Sequence, residues 1–156
     1  MLWLCAYLPH LPVELRQPPD SGPVAVVDRT NQRRWVLAAN LDAQKAGIHP
    51  TMDAALALGR EPSLRLVERS THQEKKALLG LAAWAHQWSS DVCVDAERWL
   101  IVLEVGASIR YFGSLEALMG RVLSGTKALG YTVQLGVAPT WSSSTATFRS
   151  ASPTQA

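Results

Sequence analysis

Apolar residues open the chain almost without interruption, positions 2–8 reading Leu-Trp-Leu-Cys-Ala-Tyr-Leu. A continuous apolar run this short predicts a buried strand, expected in the middle of a sheet. Prolines at 9, 12, 18, 19 and 23 then interrupt any regular element. Between them Val13–Arg16 has room for one helical turn. Val24–Val27 and Arg34–Ala39 are strand-like runs on either side of Thr30-Asn31-Gln32, so 24–39 reads as a hairpin. Two short helices are expected next, Leu41–Ala46 stopped by Gly47, and Met52–Leu58 capped by Thr51. Leu64–Val67 closes this stretch as a strand.

The period then lengthens. Ala77, Leu78, Leu81, Trp84, Ala85 and Trp88 fall on one helical face and predict a helix over 71–88. Val92–Val94 and Trp99–Val105 read as strands around a polar turn, Asp95–Arg98. Ser114 is placed to cap a helix carrying Leu115, Leu118, Met119, Val122 and Leu129, with Gly130 as its stop. Tyr131–Val137 is the last strand. With the middle section set aside, the order is β-α-β-β-α-β, the split arrangement of a ferredoxin-like sheet. The fold class expected is therefore α/β (α+β). A discontinuous palm-like domain takes residues 1–9 with 70–140, an inserted α/β lobe takes 10–69, and 141–156 is a Ser/Thr-rich, flexible tail.

Composition changes this picture little. The 156 residues are 47% hydrophobic and 18% charged, with a net charge of +2, which excludes a disordered chain and gives no electrostatic argument for nucleic acid. Two cysteines, Cys5 and Cys93, make no disulfide framework, so a reducing, cytoplasmic setting is expected. The apolar start is too short to span a bilayer and lacks the basic start of a signal peptide. The four histidines show no metal-ligand spacing, and no phosphate loop or nucleophile elbow is present. Cys5 and Cys93 read as small core residues, Trp84 and Trp88 as core or interface, and Ser142–Thr147 as linker.

Several stretches carry a resemblance. Ala38-Ala-Asn-Leu-Asp-Ala-Gln-Lys-Ala-Gly-Ile48, Pro50-Thr-Met52, Tyr111-Phe-Gly113 and Leu135-Gly-Val-Ala-Pro-Thr140 occur in the order of the fingers and palm segments of Y-family (UmuC/DinB-type) translesion DNA polymerases. The chain resembles that family over most of its length. Its opening, through Pro12, resembles the ImuB proteins, a catalytically degenerate branch.

Two-metal nucleotidyl transfer needs hard carboxylate oxygens around a pair of Mg²⁺ ions. The resemblance places Cys5 at the family's first Asp and Tyr7 at its second acidic position. Trp99 and Leu100 fall at its adjacent Asp-Glu pair, and His10 at its sugar-gate aromatic. Leu41 and Gln44 occupy triphosphate-contacting positions, of which only Lys45 is retained, and Trp141 stands where a Lys is usual. The resemblance therefore implies no metal, no cofactor and no polymerase activity. It implies a scaffold in damage-induced translesion synthesis and mutagenesis that binds DNA weakly and without sequence preference.

Arg29, Arg33, Arg34 and Lys45 are the candidate DNA contacts. Partners implied by the resemblance are a sliding clamp, a RecA-like accessory protein and an error-prone polymerase alpha-type subunit. They would be engaged mostly through regions absent here, so the chain reads as a fragment or truncated member. Two other readings compete. One is an active polymerase with relocated ligands, for which Asp95, Glu97 and Glu104 are the candidates; Glu97, expected on the Trp99 face, leads. The other is an unrelated ferredoxin-like domain that binds a small ligand or a protein.

Overall fold

In the computed structural model, residues 1–16 and 22–140 are described; the Ser/Thr-rich segment and Trp141 lie outside them. The chain divides into two compact units, one of Met1–Pro9 with the chain from Lys75 onward, the other His10–Glu74.

The first unit holds β1 (Trp3–Tyr7) and, beyond the lobe, β5 (Val92–Asp95), β6 (Leu100–Glu104) and β7 (Gln134–Ala138). They form one antiparallel sheet in the order β5-β6-β1-β7, with β1 inside it. That order is what a split β-α-β connection produces. Its two long helices are α4 (Thr71–Ala85), which begins in the other unit, and α6 (Leu115–Ala128). Strand alternation assigns the two faces of the sheet. Ala6, Leu8, Ile101 and Leu103 face the helices, where they meet Leu81, Trp84, Trp88 and Val122. Cys5, Leu100 and Val102 lie on the opposite face and form their own buried cluster with Trp3 and Tyr7. Trp84 and Trp88 are thus core, meeting edge to face with ring centroids 4.4 Å apart.

The second unit is built on β2 (Val24–Thr30), β3 (Arg33–Ala39) and β4 (Arg65–Glu68), ordered β3-β2-β4. β2 and β3 are the expected hairpin, and β4 pairs parallel to β2. Between β3 and β4 run α2 (Leu41–Lys45) and α3 (Ala54–Arg60); α1 (Leu11–Glu14) precedes β2. Asn31 and Gln32 both have positive φ, 51° and 65°, so the two-residue loop closing Thr30 onto Arg33 matches the twist of a primed hairpin turn.

Asn40 fixes α2 to the sheet. Its buried side chain accepts from the Val24 and Ala43 N–H groups at 2.9 and 3.0 Å and donates to the Gly22 carbonyl at 2.7 Å. A second anchor closes the end of the unit. Arg69 donates through Nε and Nη2 to Glu74 at 2.9 and 3.0 Å, and through Nη1 to Asp28 at 3.0 Å.

Five local expectations differ from the structure, one being that β7 begins at Gln134 and not at Tyr131. The cap of α3 is Asp53, whose carboxylate accepts from the Ala55 N–H, whereas Thr51 sits at φ 74° before it; the helix also runs through Gly59. Trp99 ends the β5–β6 turn with φ 56° instead of opening a strand. The helix starting at Thr71 stops at Ala85, because His86–Trp88 turn toward β5. A short helix, α5 (Ile109–Phe112), stands before Gly113 where none was expected.

Candidate functional site

The candidate centre forms at one end of the palm-like sheet. In the register, Tyr7 pairs with Leu100 and Cys5 with Val102, so Cys5, Tyr7 and Leu100 share one face within two residues of each other. Cys5 and Leu100 are buried, and Tyr7 is half-buried. Trp99 lies beside them in the turn, its carbonyl accepting from the Leu8 N–H at 3.0 Å. Three of the four palm positions singled out by sequence therefore converge on one face, and the fourth adjoins them.

The side chains at those four positions carry no charge at neutral pH. Burial, with Asp95 nearby as the smaller cause, pushes the Cys5 thiol from 9.0 up to about 12. It is protonated at neutral pH, and sulfur is in any case a poor ligand for a hard cation. Burial also raises the Tyr7 hydroxyl above the ordinary phenol value. A pair of hard cations has no fit with a thiol, a phenol, an indole and a leucine.

The carboxylates nearby do not complete a centre. Asp95 pairs across the sheet with Leu100 and is, with Glu104, one of two acidic residues on this face; it is held by Arg98, 3.5 Å from its guanidinium. Glu97, expected to share the Trp99 face by alternation, is instead an exposed residue of a turn that has no alternation. Glu104 opposes Trp3, four residues along β6 from Leu100 and so about 13 Å away. Its carboxylate accepts from the Leu2 and Gly106 N–H groups at 3.2 and 2.8 Å. Among the described residues no group of three or more His, Cys, Asp or Glu side chains is placed to hold a metal ion.

A thiol titration tests this environment. Cys93, expected as a core residue, is instead exposed, while Cys5 is buried as expected, so the native chain should react with one equivalent of a disulfide reagent and the unfolded chain with two. Because folding raises the Cys5 pKa, the unfolded chain ionises first between pH 9 and 12. Stability should fall across that window by up to ~1.4 kcal/mol per pH unit, and Cys5→Ala should remove this component.

The remaining candidates belong to the other unit. His10 precedes α1 and contributes its backbone carbonyl to the Val13 and Glu14 N–H groups, with no capping bond from its ring. Leu41 is an exposed apolar residue at the start of α2. Gln44 donates to the Ala39 carbonyl at 2.8 Å, a structural bond, and Lys45 is exposed.

Arg29, Arg33 and Arg34 do cluster on the hairpin, but each meets a carboxylate. Arg29 and Arg34 reach Glu68 at 3.6 and 3.1 Å, and Arg33 reaches Asp53 at 3.3 Å. Three guanidinium groups facing two carboxylates leave one net positive charge, far less than the sequence cluster suggests. Sequence reading missed these pairs and the Arg69–Glu74–Asp28 anchor, since every partner of these arginines lies on another element or at its cap. Asn40, by contrast, has a readable signal: an Asn just before a helical run.

Element order and strand order together define a ferredoxin-like palm with an inserted α/β lobe. No protein-family model and no curated protein matches the sequence. Solved structures do. A Y-family DNA polymerase chimera of Dbh and Dpo4 is similar over 89% of this chain and 43% of its own, with TM-score 0.72 and 18% identity. A post-insertion binary complex of Dbh DNA polymerase gives 0.74 at 18% identity over 89% and 42%. DinB from Sulfolobus solfataricus gives 0.66 at 18% over 89% and 42%. The chain thus has the fold of the palm and fingers portions of such polymerases and spans less than half of their length. No helix among the described residues is long and apolar enough to cross a membrane.

Proposed function

We propose that this chain is the palm-and-fingers part of a Y-family polymerase-like protein that has lost two-metal chemistry. In this reading it serves translesion synthesis as a DNA-associated, non-catalytic scaffold of the ImuB type. The observation carrying the reading is the face shared by Cys5, Tyr7 and Leu100. The fold brings these positions together as a metal centre would require, yet it fills them with a protonated thiol, a phenol and a leucine. A kept placement with altered ligand chemistry is what this reading expects of a degenerate centre. Cytoplasmic location and partnership with a sliding clamp, a RecA-like protein and an error-prone polymerase subunit belong to the same proposal. In it, those partners engage the remainder of such a protein.

The test is a titration of the full chain with Mn²⁺ and a deoxynucleoside triphosphate, followed by paramagnetic broadening of backbone amides. Broadening localised to residues 5–7 and 97–100 would overturn the non-catalytic reading and make Asp95 the relocated ligand to pursue. The expected result is no site-specific broadening there. It should be accompanied by weak anisotropy changes with DNA of any sequence.

A further inference from the structure

We propose that the tip of the β2–β3 hairpin is a stacking site for an unpaired nucleobase of a single-stranded nucleic acid, with Trp35 as its platform. The inference deepens the DNA-associated reading and rests on it.

The indole of Trp35 is half-exposed and fixed in place, its Nε1–H donating to the Thr30 hydroxyl at 3.2 Å. It borders an open recess of about 520 Å³, walled also by Thr30, Asn31, Arg33 and Thr51. That volume is within the range of small-molecule sites. The walls combine one aromatic ring with an amide, two hydroxyls and a guanidinium. A base needs such a set for stacking and edge hydrogen bonds.

A second open recess, of about 430 Å³, shares Asn31 and Arg33 and adds Gln32, Arg34 and Asp53. Arg33 thus stands between two adjoining recesses, which suits consecutive nucleotides of a strand better than one free nucleotide. The backbone points the same way: outside the hairpin turn, Thr51, which lines the first recess, has a positive φ of 74°. For a β-branched residue such as Thr51 that conformation is strained, and strain of this kind gathers at binding sites.

Charge selects against a duplex. With Arg29, Arg34 and Arg33 engaged by Glu68 and Asp53, the hairpin lacks the phosphate-neutralising field that holds a double helix. A single ring, moreover, cannot stack on base pairs inside a duplex, whose faces are already covered. Binding should therefore depend on the ring more than on salt. The slope of log K against log[salt] should stay near one neutralised phosphate, about −0.7, and not approach three.

The experiment is a ¹⁵N–¹H titration of the full chain with octathymidylate, thymidine monophosphate and a blunt duplex. The octamer is expected to move the Trp35 indole N–H and the amides of Asn31, Arg33 and Thr51. Trp35→Ala should weaken octamer binding at least about fivefold, and Trp35→Phe, which keeps a ring, should retain it. If the Ala variant loses its dispersed spectrum, the wild-type shift map and the Phe variant still decide. Octamer shifts mapping elsewhere, or undiminished binding by a folded Ala variant, would overturn this site and leave the DNA-associated reading standing. Monophosphate binding as tight as the octamer's would overturn the strand assignment. No response to any nucleic acid would overturn both.

Discussion

Replacing Arg69 with alanine is expected to destabilise the His10–Glu74 unit by about 3–5 kcal/mol, the range for removing one partner of a buried ion pair. The Glu74 side chain is 3% exposed and receives both a 2.9 Å and a 3.0 Å bond from the same guanidinium. This fork-to-fork geometry is the strongest form of the pairing. The variant keeps the carboxylate buried and removes the cation that compensates it. It also takes the 3.0 Å bond from Asp28, loosening the end of β2 against the segment entering α4. Arg69→Lys should not restore the unit, because a single ammonium cannot reproduce the three directed bonds. A joint change, Arg69→Met with Glu74→Leu, should recover most of the loss, since an apolar pair avoids the desolvation cost. Hydrogen exchange on the three variants would decide. Unchanged protection of β2 and β4 amides in Arg69→Ala would show that the anchor contributes nothing.

Such an anchor marks the boundary of what the sequence discloses. The β-α-β-β-α-β order was legible because each element carries its own period, from the apolar run at 2–8 to the helical face ending at Trp88. Convergence of Cys5, Tyr7 and Leu100 was not legible, since it depends on the pairing of two strands about ninety residues apart; the resemblance only singled out the positions. Trp99 shows where local pattern fails. An apolar residue beside a strand reads as part of it, but here the turn needs a left-handed residue and takes Trp99. With it fell the expectation for Glu97, which rested on alternation that a turn does not have. Ion pairing of Arg29, Arg33 and Arg34 was illegible for another reason: Glu68 and Asp53 lie on separate elements, and only folding brings them near.

Gly125→Ala is expected to destabilise the palm-like unit by about 2–3 kcal/mol, against the direction that helix propensity alone gives. In an ordinary helix interior this exchange stabilises by roughly 1 kcal/mol, because glycine loses the most backbone freedom on folding. Here a Cβ on residue 125 would collide with Cζ2 of Trp84 and stand 2.7 Å from its Cη2. Those atoms belong to a rigid, half-buried ring, itself packed edge to face on Trp88. Either the ring or α6 must shift, and overpacking of this kind costs about 1–3 kcal/mol or more. Gly120 supplies the internal control: it lies in the same helix, and a Cβ there meets nothing within 4 Å. Gly120→Ala should therefore stabilise by roughly 0.5–1 kcal/mol. Trp84→Leu, combined with Gly125→Ala, should lose less than the two single changes added together, because the smaller side chain vacates the space the methyl needs. Urea denaturation of the four variants separates the terms. If Gly125→Ala proves as stabilising as Gly120→Ala, the close approach of α6 to Trp84 does not hold the two helices together.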